Sequence, residues 1–309
     1  MVEPGDDVRV VIGAATDVGG RDGNEDAVHA APIRPHGAVA DGADQGAVRD
    51  YLLVVADGMG GHHRGEVASQ LAVETIVRML EEDPGADTAP LLKQAFRRAN
   101  EAIYQSGAGA DAQPMGTTLV AAVVRGRDAT IASIGDSRAY LLRANQLTQI
   151  TKDHSLVAEQ VAQGAMTEQE ARESPHRNIL TRALGHRQKL DNTMPDIFEL
   201  PLLPEDRLLL CTDGFYDVIA ADDFIRILTD HKPDDAVKRL VALAVERGTS
   251  DNVTAIVAAA EPTRQPTVTA ELVAAGTRRG PFGANLIILI IVIGVILVAA
   301  ILLVALSAT

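Results

Sequence analysis

Leu52-Leu53-Val54-Val55-Ala56-Asp57-Gly58-Met59-Gly60-Gly61-His62 and Leu208-Leu209-Leu210-Cys211-Thr212-Asp213-Gly214 share one design: a short, nearly continuous apolar run, then an aspartate, then a glycine. The apolar runs read as strands, and the glycines as points where the chain turns sharply. An aspartate at such a junction sits half buried at the sheet edge. Asp136 in Ile131–Tyr140 (IASIGDSRAY) and Asp251 in Gly248–Val257 (GTSDNVTAIV) complete a set of four. A lone buried carboxylate is costly, whereas several converging on Mg²⁺ or Mn²⁺ are compensated by the cation. A single Asp-Gly pair marks no more than a turn, but four such aspartates in one chain point to a metal site.

The rest of the composition agrees with a cation site. The 309 residues carry a net charge of −14, and 47% of them are hydrophobic, ample for a sizeable core. Arg264, Arg278 and Arg279 against Glu261 and Glu271 make residues 261–309 +1, which leaves −15 for residues 1–260. A body that acidic argues against phosphate-backbone contacts, so nucleic acid is not an expected partner. Cys211 is the only cysteine, which excludes an intramolecular disulfide and Cys-rich zinc sites. It lies in an apolar strand and reads as a small core residue.

Residues 286–306, LIILIIVIGVILVAAILLVAL, contain no charge, and about 20 such residues span a bilayer as helix. The N-terminus, MVEPGDDVRV, has no leading apolar block that would export the folded body. Arg278 and Arg279 stand just before the span and place the body in the cytoplasm by the positive-inside tendency. The expectation is a single-pass cell-membrane protein with its body at 8–260, a proline-containing tether at 261–285 and a transmembrane helix at 286–306.

Within the body, strands are expected at 8–15, 51–56, 118–125, 130–134, 139–143, 207–212 and 253–259. Helices are expected at 66–80, 89–104 and 234–246, each with apolar residues on one face. Strands cluster by hairpin rather than alternating with helices. That favours an α+β fold of largely antiparallel sheets with helices packed outside.

Seven motifs in order then carry a resemblance. They are Arg21-Asp22-Gly23-Asn24-Glu25-Asp26, Asp57-Gly58-Met59-Gly60-Gly61-His62, Met115-Gly116-Thr117-Thr118, Gly135-Asp136-Ser137-Arg138, Thr151-Lys152-Asp153-His154-Ser155, Asp213-Gly214 and Asp251-Asn252-Val253-Thr254. Over about residues 8–260 the chain resembles the bacterial metal-dependent protein serine/threonine phosphatases, the PPM or type 2C family. The resemblance implies a four-layer sandwich: two packed, mainly antiparallel sheets with helices on both outer faces. It implies two Mn²⁺ or Mg²⁺ ions per site, with a weaker third.

Residue by residue, the resemblance makes Asp57 the bridge between two metals and the Gly58 carbonyl a further ligand. Asp213 and Asp251 become ligands of the first metal, Asp136 the ligand of the third, and Glu25 and Asp26 the holders of metal-bound waters. All are hard oxygen donors, which select Mg²⁺ or Mn²⁺ over Zn²⁺. A water between two cations loses a proton near neutral pH and can attack phosphorus in line, while Arg21 holds the phosphate oxygens. Many relatives carry histidine directly after the Asp-Gly pair; here Met59 stands there, and the nearest candidates for the proton donor are His62 and His63, of which His62 is taken. Residues 159–178 resemble a mobile flap beside the site, its second helix opened by a capping box at Thr167–Glu170. The implied partners are phosphorylated proteins, among them a membrane serine/threonine kinase and its substrates. A non-catalytic relative would be expected to lack a metal aspartate, and none is missing.

Overall fold

A computed structural model describes residues 8–33, 50–60, 63–108 and 115–263. The expected span at 286–306, and all of the expected tether beyond Thr263, lie outside the described residues. Among the described residues, no helix is long and apolar enough to cross a membrane.

The chain runs β1 (Val8–Asp17), β2 (Asp26–Pro32), β3 (Tyr51–Met59), α1 (Arg64–Glu82), α2 (Thr88–Ser106), β4 (Gly116–Thr117), β5 (Leu119–Arg125), β6 (Asp128–Ile134), β7 (Arg138–Arg143), β8 (Gln146–Gln149), α3 (Leu156–Ala162), α4 (Glu168–Glu173), β9 (Asp196–Pro201), β10 (Arg207–Cys211), α5 (Asp213–Tyr216), α6 (Ala221–Asp230), α7 (Pro233–Glu246) and β11 (Val253–Pro262). One sheet has the order β1-β11-β10-β7-β8 and the other β2-β3-β5-β6-β9, with β4 paired to the end of β3. Their strand pairings are antiparallel.

Three apolar interiors separate four layers. Because side chains alternate along a strand, Leu53 and Val55 of β3 face Leu208 and Leu210 of β10 and Ile256 of β11 between the sheets. Leu52, Val54 and Ala56 point the other way, against Ala72 and Ile76 of α1 and Phe96 of α2. Leu209 and Cys211 of β10 meet Phe224 of α6 and Val237 and Leu240 of α7 on the opposite outer face. The central strands are apolar without alternation for this reason: both of their faces are covered. The expected α+β sandwich with helices on both outsides is the observed one, and Cys211 is a buried core residue.

The helices form where their apolar stripe meets a sheet. On α2, Leu92, Ala95, Phe96, Ala99 and Ile103 repeat at helical spacing and are fully buried. Proline opens α7 at its first position, where no intrahelical N–H is needed. The short α4 begins with the expected capping box: the Thr167 hydroxyl accepts from the Glu170 N–H, and the Glu170 carboxylate accepts from the Thr167 N–H.

One element differs in kind from its expectation. Asp57-Gly58 is not a turn; β3 continues through Met59, because β4 pairs with it in the register Gly58↔Thr117 and Met59↔Gly116. Glycine is required at 58 for close approach: a Cβ there would stand 2.1 Å from the Gly65 carbonyl oxygen and 2.5 Å from that of Glu25. Gly214 likewise lies inside the one-turn α5, where a Cβ would meet the Asn252 carbonyl oxygen at 2.1 Å.

Candidate active site

The ends of β3 and β10, the β6–β7 turn and the loop before β11 converge on a cavity of about 400 Å³. Asp57, Asp136, Asp213, Asp251, Glu25 and Arg21 all line it, together with the backbone of Gly58. Asp57 ends the apolar part of β3, opposite Asp26 at the start of β2. Asp213 opens α5 just past β10, and Asp136 sits in the tight turn between β6 and β7, where Gly135 takes φ +99°. Sheet geometry therefore delivers six of the expected site residues and the Gly58 backbone to one place. Asp26 stands behind them rather than in the cavity wall, its Oδ2 accepting from the Thr212 hydroxyl at 3.0 Å.

The electrostatics follow from burying like charges together. Burial, and then the neighbouring Asp213, Asp26 and Asp136, raise the Asp57 pKa well above the ordinary carboxylate value. Burial and Asp251 push Asp213 up to about 7. Burial and Asp213 push Asp136 up to about 8, and Asp26 rises to about 7 through burial, against hydrogen bonds from Thr254 and Thr212. Asp26 Oδ1 and Asp213 Oδ1 are buried without a hydrogen-bond partner.

Hard oxygen donors, crowded negative charge and orphaned carboxylate oxygens are the chemistry a divalent cation satisfies, so the residues present fit one. Among the described residues no three acidic or imidazole groups already close on a single ion-sized point. Asp251 Oδ2 accepts from the Arg21 guanidinium at 2.6 Å, and Arg21 Nε donates to the Ser250 carbonyl at 3.1 Å. Arg21 is otherwise largely exposed at the mouth, within reach of an anion in the cavity.

Three supporting groups carry no role in the sequence reading. Asn252 ties the N-terminal loop to β11: its side-chain amide donates to the Val18 and Gly23 carbonyls at 2.8 and 2.9 Å, and its Oδ1 accepts from the Glu25 N–H at 2.8 Å. The Thr118 hydroxyl accepts from the Asp57 N–H at 3.0 Å and bonds the Ser137 hydroxyl at 2.6 Å. Arg138 grips Asp153 through Nε and a terminal nitrogen and lies 3.4 Å over the Tyr216 ring, whose hydroxyl donates to the Asp136 carbonyl. All three lie inside the quoted motifs, so the signal was present in the residues flanking each carboxylate. His62 lies outside the described residues. His63 opens α1 with φ 62°, its side chain is 88% exposed, and it does not line the cavity.

The fold and site together define a class: a two-sheet, four-layer sandwich with an acidic cavity, suited to a cation, at its shared strand ends. The chain belongs to the protein phosphatase 2C family, whose model matches residues 25–250. The serine/threonine protein phosphatase PstP of Mycobacterium tuberculosis is 41% identical over 209 residues, 67% of this chain and 40% of PstP, so the chain matches less than half the length of that relative. The serine/threonine phosphatase stp of Listeria monocytogenes is 35% identical over 230 residues, 72% of this chain and 90% of that protein. Among solved structures, that of M. tuberculosis PstP/Ppp superposes with a TM-score of 0.70 at 36% identity, covering 82% of this chain and 99% of that one. The PstP catalytic domain in complex with two manganese ions gives 0.68 at 36% identity, covering 82% and 99%.

Proposed function

We propose that this chain hydrolyses phosphoserine and phosphothreonine in proteins, using water activated between two divalent cations, Mn²⁺ or Mg²⁺. The observation that carries it is the crowding of Asp57, Asp213 and Asp251 on one cavity, with the carboxyl pKa values raised by burial, at Asp57 also by Asp213 and at Asp213 also by Asp251. The two manganese ions of the related PstP structure support the metal.

In this reading Asp57, the Gly58 carbonyl, Asp213 and Asp251 are the groups that would hold the two cations. Glu25 and Asp26 would hold the water bound there, and Asp136 would hold a weaker third cation. When bound, such cations acidify a shared water and withdraw charge from phosphoryl oxygens. Arg21 leaves its pairing with Asp251 to grip two phosphate oxygens through its planar fork, which fixes the ester for in-line attack. Thr118 holds the backbone of Asp57 in place while this happens.

The segment 159–178, with α4 and most of α3, acts as a flap whose Asn178 already reaches the cavity wall. The apolar stretch 286–306 supports a single membrane span with the catalytic body in the cytoplasm, and hence substrates at the membrane: a serine/threonine kinase and the proteins it phosphorylates.

The test is hydrolysis of 4-nitrophenyl phosphate and a phosphothreonine peptide by the full chain in detergent, with and without Mn²⁺, beside Asp213→Asn. Turnover that requires Mn²⁺ and falls about 10³-fold in the variant is expected, from the several kcal/mol that a metal supplies to the transition state. Metal-independent turnover, or equal rates in the two proteins, would sink the reading.

A further inference from the structure

We propose that His186 is a catalytic residue of this site: the imidazole that gives a proton to the leaving serine or threonine oxygen. The proposal rests on the phosphatase reading above. As the water oxygen bonds to phosphorus, the bond from phosphorus to the ester oxygen breaks and its electron pair goes to that oxygen. An alkoxide is a poor leaving group, so a positioned acid lowers the barrier. The imidazolium gives the proton, is left neutral and regains one from solvent.

Among the described histidines, His186 is the one that lines the acidic cavity. His154, the described histidine within the motifs, is buried and its Nδ1 already accepts from the Gly135 N–H at 3.0 Å. Met59, next to Gly58, carries no proton to give. The strand partner of Met59 is Gly116, and the ring of His186 packs directly on Gly116: a Cβ there would stand 2.8 Å from its Cδ2 and Nε2. The imidazole thus comes from the neighbouring segment to the place that Met59 leaves without an acid.

The position is built to be held. Leu184 bonds Thr117 in both directions, at 2.9 and 3.2 Å, which straps the segment to β4. The buried Asn100 of α2 clamps both sides of the histidine: its Oδ1 accepts from the Gly185 N–H at 2.9 Å and its Nδ2 donates to the Arg187 carbonyl at 3.0 Å. Gly185 makes the bend with φ +85°. By contrast, no described residue hydrogen-bonds the ring nitrogens of His186, which leaves them for a ligand. Partial burial holds its pKa below the ordinary value, and an incoming phosphomonoester dianion supplies the charge that draws a proton onto it.

The test exploits the leaving group. 4-Nitrophenolate departs as a stable anion without a proton, whereas a threonine alkoxide does not. In the full chain with Mn²⁺, His186→Gln is expected to lower kcat on a phosphothreonine peptide about 100-fold and on 4-nitrophenyl phosphate by less than about threefold. His186→Asn, assayed with aryl phosphates of graded basicity, is expected to show a steeper dependence on the leaving group than the wild type. Equal losses on both substrates, no loss on either, or a selective loss in His62→Gln instead would overturn the assignment. A wild-type chain inert toward both substrates would fail the phosphatase reading itself, a result distinct from these.

Discussion

The middle of the sandwich and its carboxylate end are built from the same strands, and burial does opposite things to them. Leu53 and Asp57 are both on β3; the first is fully buried among apolar side chains, the second among four acidic neighbours. Removing apolar surface from water stabilises the fold, whereas removing carboxylates from water together costs free energy that protons or cations must offset. The body of each strand therefore stores the stability that the ends of the strands use up. A site of this kind is expected wherever continuous apolar strands end in acids at one edge.

The sharpest way to break that comparison is to weaken each side in turn and look for opposite signs. Leu53→Ala opens a cavity between the sheets and is expected to cost about 3 kcal/mol in chemical denaturation of the full chain in detergent, with metal affinity little changed. A cost under about 1 kcal/mol would mean that the sheets collapse onto the gap and that the middle is not the rigid partner assumed here.

Asp213→Asn should move stability the other way, by about 1 kcal/mol or somewhat more, when cations are chelated. The sign comes from linkage. A carboxyl that ordinarily loses its proton near 3.8 and holds it here to about 7 gives the folded chain a proton that the unfolded chain has released. Raising the pH through that window removes stability. Asparagine does not titrate, so the melting temperature of the chelated variant should pull ahead of wild type between about pH 4 and pH 8. Saturating Mn²⁺ should reverse the order, because ligand binding to the folded state stabilises wild type by about 2.7 kcal/mol at a hundredfold excess over Kd. Melting curves that run parallel at every pH would show that the carboxylate end is not under electrostatic load.

How much of this could be read from the chain differs between the same two regions. Leu52–Ala56 and Leu208–Cys211 were legible as strands because both of their faces are covered, and the aspartates after them were legible as a cluster because two strands of one design end alike. What hid was everything set by a distant partner. The strand Asp26–Pro32 has no run of strong strand formers and forms because Val28 and Ala30 lie against β3. Asp196–Pro201 is the edge strand beside β6, half exposed and without a clean alternation. Gly58 was expected to turn the chain and instead continues it, since the two-residue β4, whose Thr117 pairs with it from far along the chain, is what extends the strand. The carboxylates declared themselves by residue type; Asn252 and Asn100, which hold the loops around them, are ordinary amides until the fold shows what they clamp.

The smallest effect is expected at the seam between the two regions, and Thr118 sits on it. One residue further on, β5 begins its apolar run at Leu119; at Thr118 itself the hydroxyl is buried, accepts from the Asp57 N–H and bonds Ser137. Thr118→Val keeps the shape and deletes those bonds. If the seam belonged to the apolar middle, the change would be neutral, because valine fills the same space. If it belongs to the carboxylate end, the Asp57 N–H and the Ser137 hydroxyl lose their partner, which costs about 1 kcal/mol. The larger consequence would then be in turnover: a loosened Asp57 backbone shifts the residue that the site is built around, and losses of about tenfold follow from the loss of a supporting hydrogen bond. A variant that melts near wild type yet needs a higher Mn²⁺ concentration for half-maximal activity would place the seam with the site, and full activity at unchanged Mn²⁺ would move it into the core.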